Sequence, residues 1–131
     1  MTQAKLEGLL KIDNQSYNLL RVFHMMMELD NTQDVPLQSM AVFMYIASFQ
    51  KWNKQTIEEH FNMSKASSSR ITDYFSRYHR LGKAGLGLIS KERDNNDKRK
   101  TSLKLTRKGK DLIEKIFGML NEDIIDFEIE E

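Results

Sequence analysis

The chain has 131 residues, forty per cent hydrophobic and thirty per cent charged, as expected of one small globular domain with a modest core. It contains no cysteine, which excludes disulfides, thiolate metal ligands, thiol nucleophiles and thiol redox sensing. Its net charge of +1 combines a basic stretch, residues 64–110 with fourteen Lys/Arg against four Asp/Glu, and an acidic remainder, a split that predicts a polyanion partner.

Residues 1–7 lack the basic-then-apolar build of a signal peptide, and no apolar run approaches the ~20 residues of a membrane span. A cytoplasmic protein with no membrane partner is expected. Apolar residues then recur at three- and four-residue spacing from Leu6 through Tyr17, Leu20, Phe23 and Met27 to Leu29. This predicts a helix over about 4–29, with a break at Asp13-Asn14 as one option. The Met25-Met26-Met27 run reads as core or dimer-interface packing. After a polar loop, Pro36 suits the first turn of a second helix. Leu37, Met40, Val42, Phe43, Ile46 and Phe49 make that helix apolar nearly all round, which places it at the centre of the domain. Lys51 to Lys54 read as a polar break.

Asn53 is a candidate N-cap for a short helix through about Phe61, with Ile57 and Phe61 on its inner face. Asn62 tolerates a left-handed turn, and Ser64 can cap the next helix. In that helix Ile71, Tyr74, Phe75 and Tyr78 are the apolar contacts, whereas Lys65, Ser67, Ser68, Arg70 and, as a further option, Thr72 or Asp73 are expected to face outward. A short helix, a tight turn and a second helix with a small, polar, basic start form a helix-turn-helix pattern. Hydroxyl side chains at that start let a backbone approach DNA and can bond phosphates or base edges.

The glycines Gly82, Gly85 and Gly87 end the helix and reverse the chain. Leu88–Arg93 and Thr101–Leu105 are short and strand-like, and the hydrophilic residues 94–100 between them predict an antiparallel hairpin with a basic tip. Thr106 can cap a last helix with Leu112, Ile113, Ile116, Phe117, Leu120, Ile124, Ile125 and Phe127 on its apolar side. The acidic residues 128–131 follow as a frayed tail. No paired carboxylates, nucleophile–base set or phosphate loop stands in a catalytic context, so an enzyme is not expected. The scattered His24, His60 and His79 lack metal-ligand spacing, and no cofactor is implied.

Two motifs carry a resemblance. Asp97-x-Arg99, followed by Thr101-x-Leu103-x-Leu105-Thr106-x-x-Gly109, resembles the wing-to-helix signature of the MarR (multiple antibiotic resistance regulator) family, in which D-x-R leads into a strand ending L-T-x-x-G. Ile57-x-x-x-Phe61-Asn62-Met63-Ser64-Lys65, continuing through Ser69-Arg70-Ile71 to Asp73, is similar to the family's L-A-x-x-L-G-L-S-K-x-x-V-S-R-L-V-D. The chain departs from the pattern at Glu58, where the family has alanine. It departs again at Ser68, where an inward aliphatic is usual, and at residues 78–86, which add to the segment before the wing.

The resemblance implies a mainly α fold with a small two-stranded β wing. A winged helix-turn-helix over about 36–107 would be flanked by dimerisation helices at 4–30 and 107–127, all within one domain of residues 1–131. It implies a sequence-specific regulator of transcription, in the manner of a repressor, that binds double-stranded DNA as a homodimer on a pseudo-palindromic site. Carried over by position, Lys65, Ser67, Ser68 and Arg70 become major-groove candidates, and Arg99 the minor-groove one. Lys91, Arg93, Lys98 and Lys100 become phosphate contacts. Many relatives hold a small aromatic effector, for which Tyr17, His24, Tyr45 and Trp52 are the candidates, ordinary packing being the plainer reading of these four. The rival reading is a winged-helix interaction module that binds protein, RNA or single-stranded nucleic acid.

Overall fold

Helix starts fall where the polar residues between apolar runs supply caps. The computed structural model describes residues 3–48, 52–76, 84–93, 95–97 and 99–122, with the side chains of residues 3–13 and of Trp52 left out. In chain order the elements are α1 (Gln3–Met27), α2 (Leu37–Ser48), β1 (Trp52–Asn53), α3 (Lys54–Phe61), α4 (Lys65–Phe75), β2 (Ile89–Arg93), β3 (Thr101–Leu105) and α5 (Arg107–Leu120). The Asn53 side chain accepts from Thr56 N at 2.9 Å, Ser64 from Ser67 N at 3.1 Å and Thr106 from Gly109 N at 3.1 Å. Each bond satisfies one of the donors that a helix start leaves open, worth about 1 kcal/mol. Asn62 takes the left-handed conformation (φ 50°, ψ 53°) between α3 and α4. A short polar side chain makes that conformation tolerable.

The core gathers one face from almost every element. Val42, Phe43 and Ile46 of α2 meet Ile57 of α3, Phe75 of α4, Leu88 and Ile89, Leu103 of β3, and Ile113 and Ile116 of α5. Phe43 and Phe75 are fully buried with ring centroids 5.4 Å apart. Burial of each contributes on the order of 2–3 kcal/mol. Val22 and Met26 join this core from α1, which also packs along α5. Asn18 Nδ2 donates to the Glu122 carbonyl at 2.8 Å, and Arg21 pairs with the Glu122 carboxylate.

Four expectations change. Helix α1 is unbroken at Asp13-Asn14, since single Asp and Asn residues cost a helix only a few tenths of a kcal/mol. Pro36 stands one residue before α2, its carbonyl accepting the Met40 amide at 3.1 Å. The sheet has three strands in the order β1-β3-β2, all antiparallel, with Trp52 opposite Leu103 and Lys91 also opposite Leu103 across β3. A two-residue strand shows no alternation to read, and its partner lies some fifty positions away. Helix α4 ends at Phe75, ahead of the glycines and of Tyr78; residues 77–83, with Tyr78 and much of the 78–86 segment, lie outside the described residues, as do 123–131.

The chain that returns from this segment closes α4. Leu86 N donates to Tyr74 O at 3.0 Å, Gly87 N to Ser76 O at 3.1 Å and Leu88 N to Phe75 O at 2.8 Å. A Cβ on Gly85 would lie 1.8 Å from Ser76 O, so only glycine permits this approach. Farther on, Thr106 N donates to Leu88 O at 3.0 Å and Thr106 Oγ1 donates to Gly87 O at 2.6 Å. A Cβ on Gly109 would stand 2.1 Å from Leu88 O. The L-T-x-x-G motif is thus a clasp, in which threonine caps α5 while glycine lets its first turn touch the start of the wing. Gly109→Ala should lower stability by about 2–4 kcal/mol in urea unfolding, because backbone must move. Gly118→Ala in the same helix, where a Cβ meets nothing within 4 Å, should raise stability by about 0.5–1 kcal/mol.

Candidate nucleic-acid interface

Helix α4 turns Ser68, Thr72 and Phe75 inward at i, i+4 and i+7, and all three are buried. The opposite side carries exposed Lys65, Ala66 and Arg70, flanked by half-buried Ser67, Ser69 and Asp73. Arg70 Nη2 donates to Ser67 Oγ at 3.2 Å, and Ser64 Oγ donates to the same oxygen at 3.1 Å. Lys65, Ser67 and Arg70 therefore form one polar, cationic strip at the start of the helix.

Ser68 does not belong to that strip. It is wholly buried, its hydroxyl donating to the Glu58 carboxylate of α3, with Lys65 O beside it at 3.1 Å. The periodicity of α4 puts position 68 on the core side, and Glu58 makes a serine viable there by accepting its proton. The two departures from the family pattern, Glu58 and Ser68, are thus partners. Lys54 completes the group, its Nζ lying 3.7 Å from Glu58 Oε2 and donating to Ser69 Oγ at 2.6 Å. The Lys54 and Glu58 side chains are only 17% and 12% exposed, so this pair sits between the two helices and not on the surface.

Lys91 is likewise engaged within the protein: its ammonium binds Asp73 Oδ1 at 2.6 Å and ties β2 to α4. Its charge is thus paired within the protein. The cation neutralises the one acidic residue of α4. Arg93 and Lys100 are exposed near the hairpin tip, whereas Lys98 lies outside the described residues. At the tip, Arg99 N and Nε donate to Asp97 Oδ1 at 3.0 and 3.2 Å, and these bonds hold the Asp97 carboxyl below the ordinary carboxylate range. The Arg99 side chain is nonetheless 92% exposed, and an exposed pair of this kind separates at little cost. Gln55 Nε2 donates to Arg99 O at 3.2 Å, which fixes the tip against α3.

The four aromatic-pocket candidates occupy different settings. Tyr45 is stacked on α3, its ring centroid 4.2 Å from His60 and 5.4 Å from Phe61. His24 is exposed on α1 and Tyr17 half-buried there, while the Trp52 side chain lies outside the described residues. Among the described residues no group of three or more His, Cys, Asp or Glu could hold a metal ion, and no helix is long and apolar enough to cross a membrane. Sequence reasoning missed Lys54, Gln55, Ser69 and the Asp73–Lys91 tie. It also missed Tyr74 Oη donating to Asp30 Oδ2 at 2.6 Å, which joins α4 to the loop after α1. None of these long-range pairs has a local sequence signal.

No protein-family model matches the chain, and no curated protein matches it in sequence. Solved structures do. The crystal structure of MarR superposes with a TM-score of 0.57 at 20% identity, covering 87% of this chain and 74% of that one. The S. aureus MepR–DNA complex gives 0.63 at 16% identity over 81% and 78%. An S. aureus MepR mutant bound to an oligodeoxyribonucleotide gives 0.65 at 16% over 100% and 86%. The architecture is a winged helix-turn-helix. More narrowly, it is the fold of the MarR regulators, as the two sequence motifs led one to expect.

The Tyr74 hydrogen bond, followed by those from Thr32, lowers Asp30 from 3.8 to about 2. Burial, then the Asp30 bond and charge, push the Tyr74 phenol well above its usual value. Because the folded-state value of Asp30 lies below the unfolded one, its stabilisation is present above about pH 4 and is lost as pH falls toward 2. Tyr74→Phe should therefore cost about 1 kcal/mol at pH 6, a value limited by solvent screening of this half-exposed carboxylate. The gap to the unsubstituted protein should close as urea unfolding is repeated toward pH 2.

Proposed function

We propose that this protein is a MarR-type transcriptional regulator that binds double-stranded DNA as a homodimer and represses by occupying a pseudo-palindromic operator. The observation that carries the reading is the cationic strip of α4, Lys65, Ser67 and Arg70, standing on a helix-turn-helix beside a hairpin whose Arg99 is almost fully exposed. Two of the structures that share the fold were solved with DNA bound, which supports a duplex as the partner. In this reading α4 enters the major groove, Arg99 reaches the adjacent minor groove, and Arg93, Lys98 and Lys100 meet phosphates. Lys91 acts through Asp73, holding the wing to the reading helix.

The two-fold partner is a second copy of the chain. On α1, Leu19, Leu20, Phe23 and Met27 are 43–55% exposed, and on α5 Phe117 and Leu120 are 50% and 38% exposed. They lie on two helices that pack against each other. An apolar surface of that kind on a small domain marks an interface. A dimer would bring two reading helices to half-sites about 10 bp apart, one helical turn of the duplex.

Fluorescence anisotropy on a random-sequence duplex tests the reading. With about six phosphates neutralised, affinity should fall by ~10³-fold between 50 and 200 mM salt. Arg70→Ala and Arg99→Ala should each weaken binding about tenfold with the melting temperature almost unchanged. Binding indifferent to salt and to both substitutions would favour the interaction-module reading instead. Light scattering should give twice the chain mass, and Leu20→Asp should give the monomer.

A further inference from the structure

Resting on the DNA-binding reading just given, the geometry points to Ser69 as a further contact residue, a hydrogen-bond donor to the duplex whose direction is set by Lys54. A hydroxyl offers one proton and two lone pairs, whereas an ammonium offers protons only. At 2.6 Å from Ser69 Oγ, Lys54 Nζ must therefore be the donor and the serine oxygen the acceptor. The serine's own proton remains for another partner.

The neighbouring hydroxyls of α4 show what that proton could have done. Ser68 gives its proton to the Glu58 carboxylate, with Lys65 O beside it at 3.1 Å, and Thr72 donates to Ser68 O at 2.7 Å. Both are buried and saturated by the protein itself. Ser69 donates to no group among the described residues. One position on from buried Ser68, it lies about 100° round the helix, between the core side and the exposed side that carries Ala66 and Arg70. Lys54 is itself held in place by Glu58 and is only 17% exposed, so the ammonium cannot easily swing away. A hydroxyl that accepts from a cation is also a stronger donor than a free one.

The chemistry of the partner follows. Ser69 requires an acceptor, which on a duplex is either a phosphate oxygen or a major-groove acceptor such as a purine N7, guanine O6 or thymine O4. It opposes a base edge that presents an amino group. The Glu58–Ser68 pair and the Lys54–Ser69 bond then have distinct tasks: the first seats α4 against α3, and the second orients a reader.

Binding of the full-length protein to a pool of random duplexes of roughly three helical turns, followed by sequencing of the bound fraction, tests this. Ser69→Ala should weaken binding three- to tenfold, the magnitude of one lost hydrogen bond, while leaving the salt dependence unchanged; because it also takes an acceptor from Lys54, binding is compared well below the melting temperature of each variant. Ser69→Thr, which keeps the hydroxyl, should retain most of the affinity. A loss spread evenly over all sequences identifies a phosphate, and a loss of preference at one position identifies a base acceptor; either result supports the inference. In a Lys54→Met background, Ser69→Ala should cost less than it does in the unsubstituted chain, and an equal cost in both overturns the role assigned to Lys54. Unchanged affinity for Ser69→Ala, or a Ser69→Thr variant that binds no better than Ser69→Ala, overturns the inference while leaving the regulator reading intact. Absence of duplex binding by the unsubstituted protein overturns both.

Discussion

The backbone of residues 85–88 is the joint on which the winged helix depends. Its amides close the last carbonyls of α4, while the carbonyls of Gly87 and Leu88 receive the hydroxyl and amide of Thr106 at the start of α5. One short segment therefore sets the end of α4, the root of the wing and the first turn of α5. Buried backbone groups must find partners, and here each satisfies a group on a different element. The glycines at 85 and 109 are the geometric condition, because in both cases a Cβ would overlap a carbonyl oxygen.

A second constraint lies inside the helix-turn-helix. Placing Lys54, Glu58, Ser68 and Ser69 between α3 and α4 removes charge from water, which contributes to stability only if every group is paired. Here the carboxylate accepts from Ser68 beside the Lys54 ammonium, and the ammonium donates to Ser69. The arrangement is less forgiving than aliphatic packing, since its directional bonds allow α4 one angular setting on α3. The wing is held by similar means: Lys91 binds Asp73 on α4, and Gln55 on α3 binds the Arg99 carbonyl at the tip. Helix and hairpin thus reach the same surface as one body.

Electrostatically, the acidic side chain of α4 is consumed by Lys91, and Asp97 at the tip is occupied by Arg99. Each pair removes one cation with its anion, so the net charge of the stretch is unchanged while Lys65 and Arg70 stay exposed on α4. On the far side, Tyr74 connects α4 to Asp30, just beyond the end of α1. That bond joins α4 to the loop that follows α1.

Much of the architecture was legible in the residues. The caps at Asn53, Ser64 and Thr106, the left-handed Asn62, the hairpin strands and the central apolar α2 all follow from local chemistry acting over a few positions. The motif around Gly109 located the wing before its packing was known. Other features depended on distance. Strand β1 exists because Trp52 and Asn53 lie beside Leu103 and Ser102, a pairing no short window contains. Among Ser67, Ser68 and Ser69, three identical side chains, only the seating of α4 on α3 decides which is buried, which joins Arg70 and which accepts from Lys54. The same holds for Lys91, a surface cation by composition and a strut by geometry. By itself, then, the sequence determined the helices, their caps and the basic character of the stretch, because propensity, capping and charge act locally. The tertiary structure alone decided which polar side chains hold the elements together and which remain to face a partner, because hydrogen bonds and ion pairs form between residues that only the fold brings within reach.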